Sequence, residues 1–312
     1  MNKISKLLIS GLISVSIFMP TFAYAAEFSD MPDNWTTGAL ERAVENGLLN
    51  GADGKIMPDD NITRAQMAAI IVRAFGADKE ADISAFSDVS ADKWYYSEFA
   101  KAVNMNAFGG TDDGKLNPDN FITYEECFTV VARVFGLRAI VNDAGEEVFD
   151  SLDKFSDSDM VHDWAKTYMS KVVGNGYWDG IDNKLKPRDY ITRAEFAVLM
   201  DNMVQAYITT PGEYTEISDG NVLIKTDGIT LKDITTDNMI IIGDGVKGDT
   251  NLDNITSTSQ ISVRGGTAKV TGTINHISAL CPEVNIDISG VTKRTGKVYL
   301  CKDSHLFMGT LY

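Results

Sequence analysis

Two arginines stand where a folding helix would not choose a cation. Arg64 and Arg193 lie in the blocks Ile62-Thr63-Arg64-Ala65-Gln66 and Ile191-Thr192-Arg193-Ala194-Glu195, and a related block reads Ile122-Thr123-Tyr124-Glu125-Glu126. Thr63 with Gln66, Thr123 with Glu126 and Thr192 with Glu195 have the spacing of a capping box, which opens a helix and needs no ligand to explain it. The arginines are different. At the first helical position a cation opposes the helix dipole at a cost of up to ~1 kcal/mol, and Asp, Glu or Pro is the choice that folding favours there. A guanidinium beside unpaired helix N–H groups makes a cradle for a carboxylate, through charge-assisted hydrogen bonds. The competing reading is a surface pair with a nearby aspartate.

The elements that must position these residues form a repeat. Phe28-Ser29-Asp30 recurs as Phe86-Ser87-Asp88 and Phe155-Ser156-Asp157, and a tryptophan follows each time, at Trp35, Trp94 and Trp164. A helical apolar pattern comes next, then turns beginning at Gly51, Gly110 and Gly180, then Pro58, Pro118 and Pro187, and then the threonine block with a second helix. Phe28 lies 34 residues before Ile62, and the two later copies keep an interval of 36. One helix-turn-helix unit cannot bury its apolar face alone, so three copies are expected to pack around a shared axis. Boundaries are expected at 26–84, 85–145 and 146–208, with an acidic surface loop from Val141 to Leu152.

These residues resemble S-layer homology repeats, over about Glu27 to Val204. The resemblance implies a pseudo-threefold helical bundle that binds pyruvylated secondary cell-wall polysaccharide non-covalently at the surface of a bacterium. It implies that Arg64 and Arg193 meet the acidic ketal. Tyr124 can stack on a sugar and donate one hydrogen bond but cannot neutralise a carboxylate, so its copy is expected to contribute less or to meet a neutral sugar. Trp35, Trp94 and Trp164 are either core anchors between repeats, the commoner case, or faces for a pyranose ring. Asp30, Asp88 and Asp157 are turn acceptors that the resemblance also places beside the ligand groove. Gly51, Gly110 and Gly180 allow a positive φ and close backbone approach, which a sugar or a tight turn alone would use.

Export is expected from the first residues. Lys3 and Lys6 precede an apolar run from Leu7 to Met19, and Ala23-Tyr24-Ala25 fits a signal-peptidase site, giving a leader over 1–25. The run is shorter than the ~20 residues that span a bilayer, so no membrane partner is expected after cleavage. The net charge of −16 becomes −18 when Lys3 and Lys6 leave, since no acid precedes Glu27. Such a charge argues against nucleic acid and anionic lipid. No cofactor and no metal are expected: the Asp112-Asp113-Gly114 turn lacks calcium-loop spacing, with Thr123 at its twelfth position. No Ser/His/Asp arrangement or phosphate loop stands out, so no catalytic residue is assigned.

Beyond Met203 the texture changes to Ile, Val, Thr, Asn and Gly, after a linker at Thr209-Thr210-Pro211-Gly212. Leu231 to Ile234 is echoed by Leu252 to Ile255, and Ile240 to Gly243 by Ile261 to Arg264, both at an offset of 21. A period near 20 with β-branched strands predicts a short parallel β-helix over 212–312 with at most four coils; a β-sandwich is the alternative. The whole is an α + β multidomain chain. Of three cysteines, Cys127 reads as a core residue, while Cys281 and Cys301 lie about one coil apart, where a disulfide is feasible. The favoured function is a non-catalytic surface protein displaying its β domain, with self-assembly a further partner class. The alternative is an anchored carbohydrate-active enzyme of the polysaccharide-lyase kind.

Overall fold

The computed structural model describes residues 28–111 and 113–308; the expected leader lies outside them. Each repeat supplies an outer and an inner helix. The pairs are α1 (Thr37–Glu45) with α2 (Arg64–Phe75), α3 (Tyr96–Asn104) with α4 (Tyr124–Phe135), and α5 (Asp163–Gly174) with α6 (Arg193–Met203). All three capping boxes form in both directions, Thr63 with Gln66, Thr123 with Glu126 and Thr192 with Glu195. The inner helices are buried on nearly every side, whereas α1 buries only Ala39, Leu40 and Ala43.

Each outer helix packs chiefly on the inner helix of the neighbouring repeat rather than on its own. Helix α3 contacts α2, α5 contacts α4, and α1 closes the circle on α6. Backbone hydrogen bonds close it again at the top of the bundle. Ile62 N–H donates to Ile191 O (3.0 Å), Ile191 N–H to Ile122 O (3.2 Å), and Ile122 N–H to Ile62 O (3.1 Å). This ring is the pseudo-threefold axis, and one repeat fewer would leave its donors and acceptors open.

The β region is a solenoid of six coils with two parallel sheets. One sheet stacks β1 (Ala206–Ile208), β3 (Val222–Ile224), β6 (Ile240–Ile242), β8 (Gln260–Val263), β10 (His276–Ala279) and β12 (Val298–Leu300). The other stacks β2 (Gly212–Tyr214), β4 (Ile229–Lys232), β7 (Asp249–Ser257), β9 (Thr267–Ile274), β11 (Asn285–Arg294) and β13 (His305–Phe307), with β5 (Thr235–Thr236) beside β7. All strand pairs are parallel, which excludes the sandwich. The offset of 21 is real: Leu231 pairs with Leu252 and Ile240 with Ile261. The limit of four coils is wrong. Coils vary, Ile261 pairing with Ile277 only 16 residues on, and the first strand begins at Ala206, so Thr209 to Pro211 is a corner of the first coil rather than a tether.

Solenoid and bundle share a core. Leu223, Met239 and Ile241 belong to the same buried cluster as the helices, which explains why β3 and β6 are apolar on both faces. The C-terminal ends of all three inner helices are capped by the solenoid. Gly245 N–H donates to Phe75 O of α2 (3.0 Å), and Asn221 Nδ2 to Met203 O of α6 (2.9 Å). At α4, Arg264 reaches Val134 O (3.0 Å), Ser262 Oγ reaches Phe135 O (3.1 Å) and Gln260 Nε2 reaches Gly136 O (3.0 Å). Helix carbonyls that would otherwise be orphaned therefore find donors.

Candidate functional site

Three seams run between the repeats, each holding the first residue of an inner helix. Arg64 crosses into the second repeat, where Nε donates to Leu116 O (2.9 Å) and the guanidinium lies 5.3 Å from the Phe108 ring centre. Arg193 crosses into the first repeat and donates to Ile56 O (2.9 Å) and Asn50 O (3.1 Å). Both are buried, at 7% and 6% exposure. Burial lowers the pKa of each; Glu126 and Asp88 pull against that at Arg64, and Asp60 and Asp30 at Arg193. Both guanidinium groups stay charged at neutral pH.

The expected cradle of unpaired amides is not there. Arg64 N–H donates to Asn120 O and Ala65 N–H to Pro118 O; Arg193 N–H and Ala194 N–H take Asp60 O and Pro58 O in the same way. The third amide of each helix goes to the capping threonine. The next repeat's proline loop thus consumes the helix starts before any ligand arrives. What remains is side-chain nitrogen. The terminal nitrogens of Arg64 have no hydrogen-bond partner among the described residues, the Glu126 carboxylate being 3.6 Å from one.

In the third seam Tyr124 is 1% exposed, packed on Phe128 and Trp178, with its hydroxyl lacking a hydrogen-bond partner. Burial first, and the Glu195 charge second, push its pKa up. Beside it Glu125, buried where the other repeats have alanine, binds the His162 ring at 2.6 Å.

The tryptophans are not core anchors. Trp35, Trp94 and Trp164 are 60%, 61% and 51% exposed. Trp164 stacks on His162 and so stands beside the Tyr124 seam; the pseudo-symmetry puts Trp94 and Trp35 beside the other two. The aspartates are turn acceptors. Asp30 accepts from the amides of Ile56 and Met57, Asp88 from Leu116 and Asn117, and Asp157 from Leu185 and Lys186. Met57, Asn117 and Lys186 all have positive φ, so each carboxylate pins a left-handed turn, one that Met57 and Lys186 disfavour and Asn117 tolerates. The glycines serve packing: a Cβ on Gly51, Gly110 or Gly180 would sit 2.1, 2.9 or 2.4 Å from the ring of Phe28, Phe86 or Phe155. Only Gly180 of the three has positive φ, which corrects the expectation for Gly51 and Gly110.

Residues 27–68, 85–126 and 154–197 each match the family model of the S-layer homology domain. The chain carries three S-layer homology domains. It is 30% identical over 227 residues to the surface-layer 125 kDa protein of Lysinibacillus sphaericus, covering 70% of this chain and 18% of that one. The cellulosome-anchoring protein of Acetivibrio thermocellus is 31% identical over 56% of this chain and 38% of its own length. An exoglucanase of Acetivibrio thermocellus is 28% identical over 57% of this chain and 16% of its own. The chain thus spans well under half of these curated relatives. It is a cell-surface protein of the S-layer homology class.

The disulfide expected in the solenoid is absent. Cys281 and Cys301 are free thiols, as is buried Cys127. The register that pairs Ala279 with Leu300 brings Cys301 beside Leu280 rather than Cys281. Cys281 faces Asp244 instead, at 3.7 Å. Sequence reasoning missed Phe108 and Trp178, which floor two seams, and Phe121 and Tyr190 at the apex. Aligning the repeats exposes both sets: each pair occupies one repeat position.

Proposed function

We propose that the three domains anchor the protein by binding an acidic, pyruvylated-type secondary cell-wall polysaccharide in their seams, and that the chain itself is non-catalytic. The observation that carries this reading is the exposure of three equivalent tryptophans beside the seams, two of which hold a buried arginine. Indole faces stack on pyranose rings, and the arginines supply positive charge at the foot of the seam for an acidic substituent. The solenoid supports the bundle and is the part displayed.

The test is co-sedimentation of the chain from residue 26 onward with purified walls, before and after the accessory polymer is stripped. Trp35→Ala, Trp94→Ala and Trp164→Ala are the informative variants, because Arg64 and Arg193 also hold repeats together. Each is expected to weaken binding about tenfold, or ~1.4 kcal/mol. Equal pelleting on intact and stripped walls, or no loss in the triple variant, refutes the reading. New reducing ends or unsaturated products after incubation with plant and bacterial polysaccharides would favour the enzyme alternative instead. Self-assembly belongs to the same reading, and light scattering against concentration tests it.

A further inference from the structure

The apex of the bundle carries an aromatic pair that neither the fold nor the seams use. Phe121 and Tyr190 each precede the isoleucine of the hydrogen-bonded ring, and they are 45% and 51% exposed. Their ring centres lie 5.5 Å apart at 58°, an open wedge. Isolated bridges fix both backbones, Phe121 to Thr63 and Tyr190 to Thr123. The first repeat makes the corresponding bridge, Asn61 to Thr192, with an asparagine. The bridge therefore does not require an aromatic, and two large rings stand in water without a structural need for them.

The surroundings select among ligands. The three loops leading to the ring expose Asp59, Asp60, Asp119 and Asp189, with Arg188 the exposed cation among them; Asp60 also acts on the buried Arg193, but none of the five joins an ion pair among the described residues. An acidic sugar is repelled there. Hydroxyl groups of a neutral sugar find carboxylate acceptors around an aromatic face, which is the usual make-up of a pyranose site. The apex also lies at the opposite end of the inner helices from the solenoid, about 18 Å along a twelve-residue helix, so it is uncovered.

We propose that Phe121 and Tyr190 form a second carbohydrate site, for a neutral pyranose unit, distinct from the seams that take the acidic substituent. This rests on the proposed wall-polysaccharide function, since one polymer then presents acidic residues to the seams and neutral ones to the apex.

Calorimetric titration of the chain from residue 26 onward with chitotetraose and with cellotetraose tests it. Phe121→Asn with Tyr190→Asn is the variant of choice, because it reproduces what the first repeat carries and keeps the bridges. The double variant is expected to bind the better tetraose about three- to tenfold more weakly, while the triple tryptophan variant binds it as the parent does. A trigalacturonate probe is expected to gain apex binding only when Asp60, Asp119 and Asp189 become Asn. The proposal is overturned if the parent binds neither tetraose, if the Asn variant binds unchanged, or if the loss appears in the tryptophan variant instead. Failure of the seams reads out separately, as wall pelleting that ignores the tryptophans.

Discussion

Arg264 is the residue on which the union of bundle and solenoid should depend most. It is 4% exposed, with Nε 2.6 Å from Asp244, one terminal nitrogen 3.0 Å from Val134 O and the other 2.8 Å from Met105 O. Burial opposes its charge, but the attraction and hydrogen bonds of Asp244 outweigh this and its pKa is raised. It also lies beside the C-terminus of α4, where a cation meets the favourable end of the dipole. Arg264→Met leaves the half-buried Asp244 carboxylate without its partner. Breaking a buried pair in this way costs about 3–5 kcal/mol, and two abandoned carbonyls bring the total to about 4–6 kcal/mol. At about 2–4 °C per kcal/mol for a chain of this size, the unfolding midpoint falls by roughly 10–20 °C. Thermal scans should follow Trp178 fluorescence, which reports the bundle, in a background where Trp35, Trp94 and Trp164 are replaced by alanine, alongside the far-ultraviolet strand signal. Both are expected to move together. Arg264→Met combined with Asp244→Leu should recover most of the loss, because no unpaired charge remains. A single variant that loses less than about 1 kcal/mol, or a Trp178 transition that stays while the strand signal moves, refutes the reasoning.

Gly51→Ala and Gly180→Ala drive a methyl into the Phe28 and Phe155 rings, and each is expected to lose about 1–3 kcal/mol in urea unfolding. Gly110→Ala, with the most room, should lose least, and a reversed order would dispose of the packing account. Cys281 should resist alkylation at pH 8, because burial, then the neighbouring Asp244, outweigh Arg264 and push its pKa up to about 12; mass spectrometry after iodoacetamide reads this directly. Asp227 holds the amides of Gly248 and Lys247, which lower its pKa, and Asp30 is lowered by its own amide partners and Lys55 against the opposing effect of burial. Depressed carboxylates stabilise the fold above their ordinary value of about 3.9, and that contribution is lost as pH falls through the folded values. Urea midpoints should therefore be level from pH 7 to about 5 and fall below about 4; a midpoint that rises on acidification would contradict the sign.

What could be read from the sequence was local or periodic. Thr63 and Gln66 are three residues apart, so the capping box shows itself, and Leu231 with Leu252 reports the stacking of coils directly. What could not be read depends on backbone atoms of distant loops. Nothing about Pro118 or Asn120 announces that their carbonyls will take the first amides of α2, yet that fact removes the anion cradle. Asp30 meets its partners 26 residues away, across a turn whose handedness only the fold reveals. The tryptophans stayed open between core anchor and sugar face because indole is usually buried; only the fold shows that three equivalent copies are exposed. The disulfide failed on one residue of register, a slip that a spacing of 20 cannot detect.

The inner helices explain why recognition must fall to side chains. Their first two amides are taken by the proline loops of the neighbouring repeat, their third by the capping threonines, and carbonyls at each C-terminal end by the solenoid. A helix so treated offers no free backbone pole to a ligand, whatever the sign of its dipole. The surfaces left are side chains, and among the described residues the exposed large aromatic ones on the bundle are the three tryptophans beside the seams and the two rings at the apex. Both sets lie on the bundle rather than in its interface with the solenoid. Either set can therefore be altered with little cost to the fold, whereas truncating Arg64 or Arg193 disturbs fold and seam at once, which makes the tryptophan and apex variants the sharper probes of the proposed wall binding.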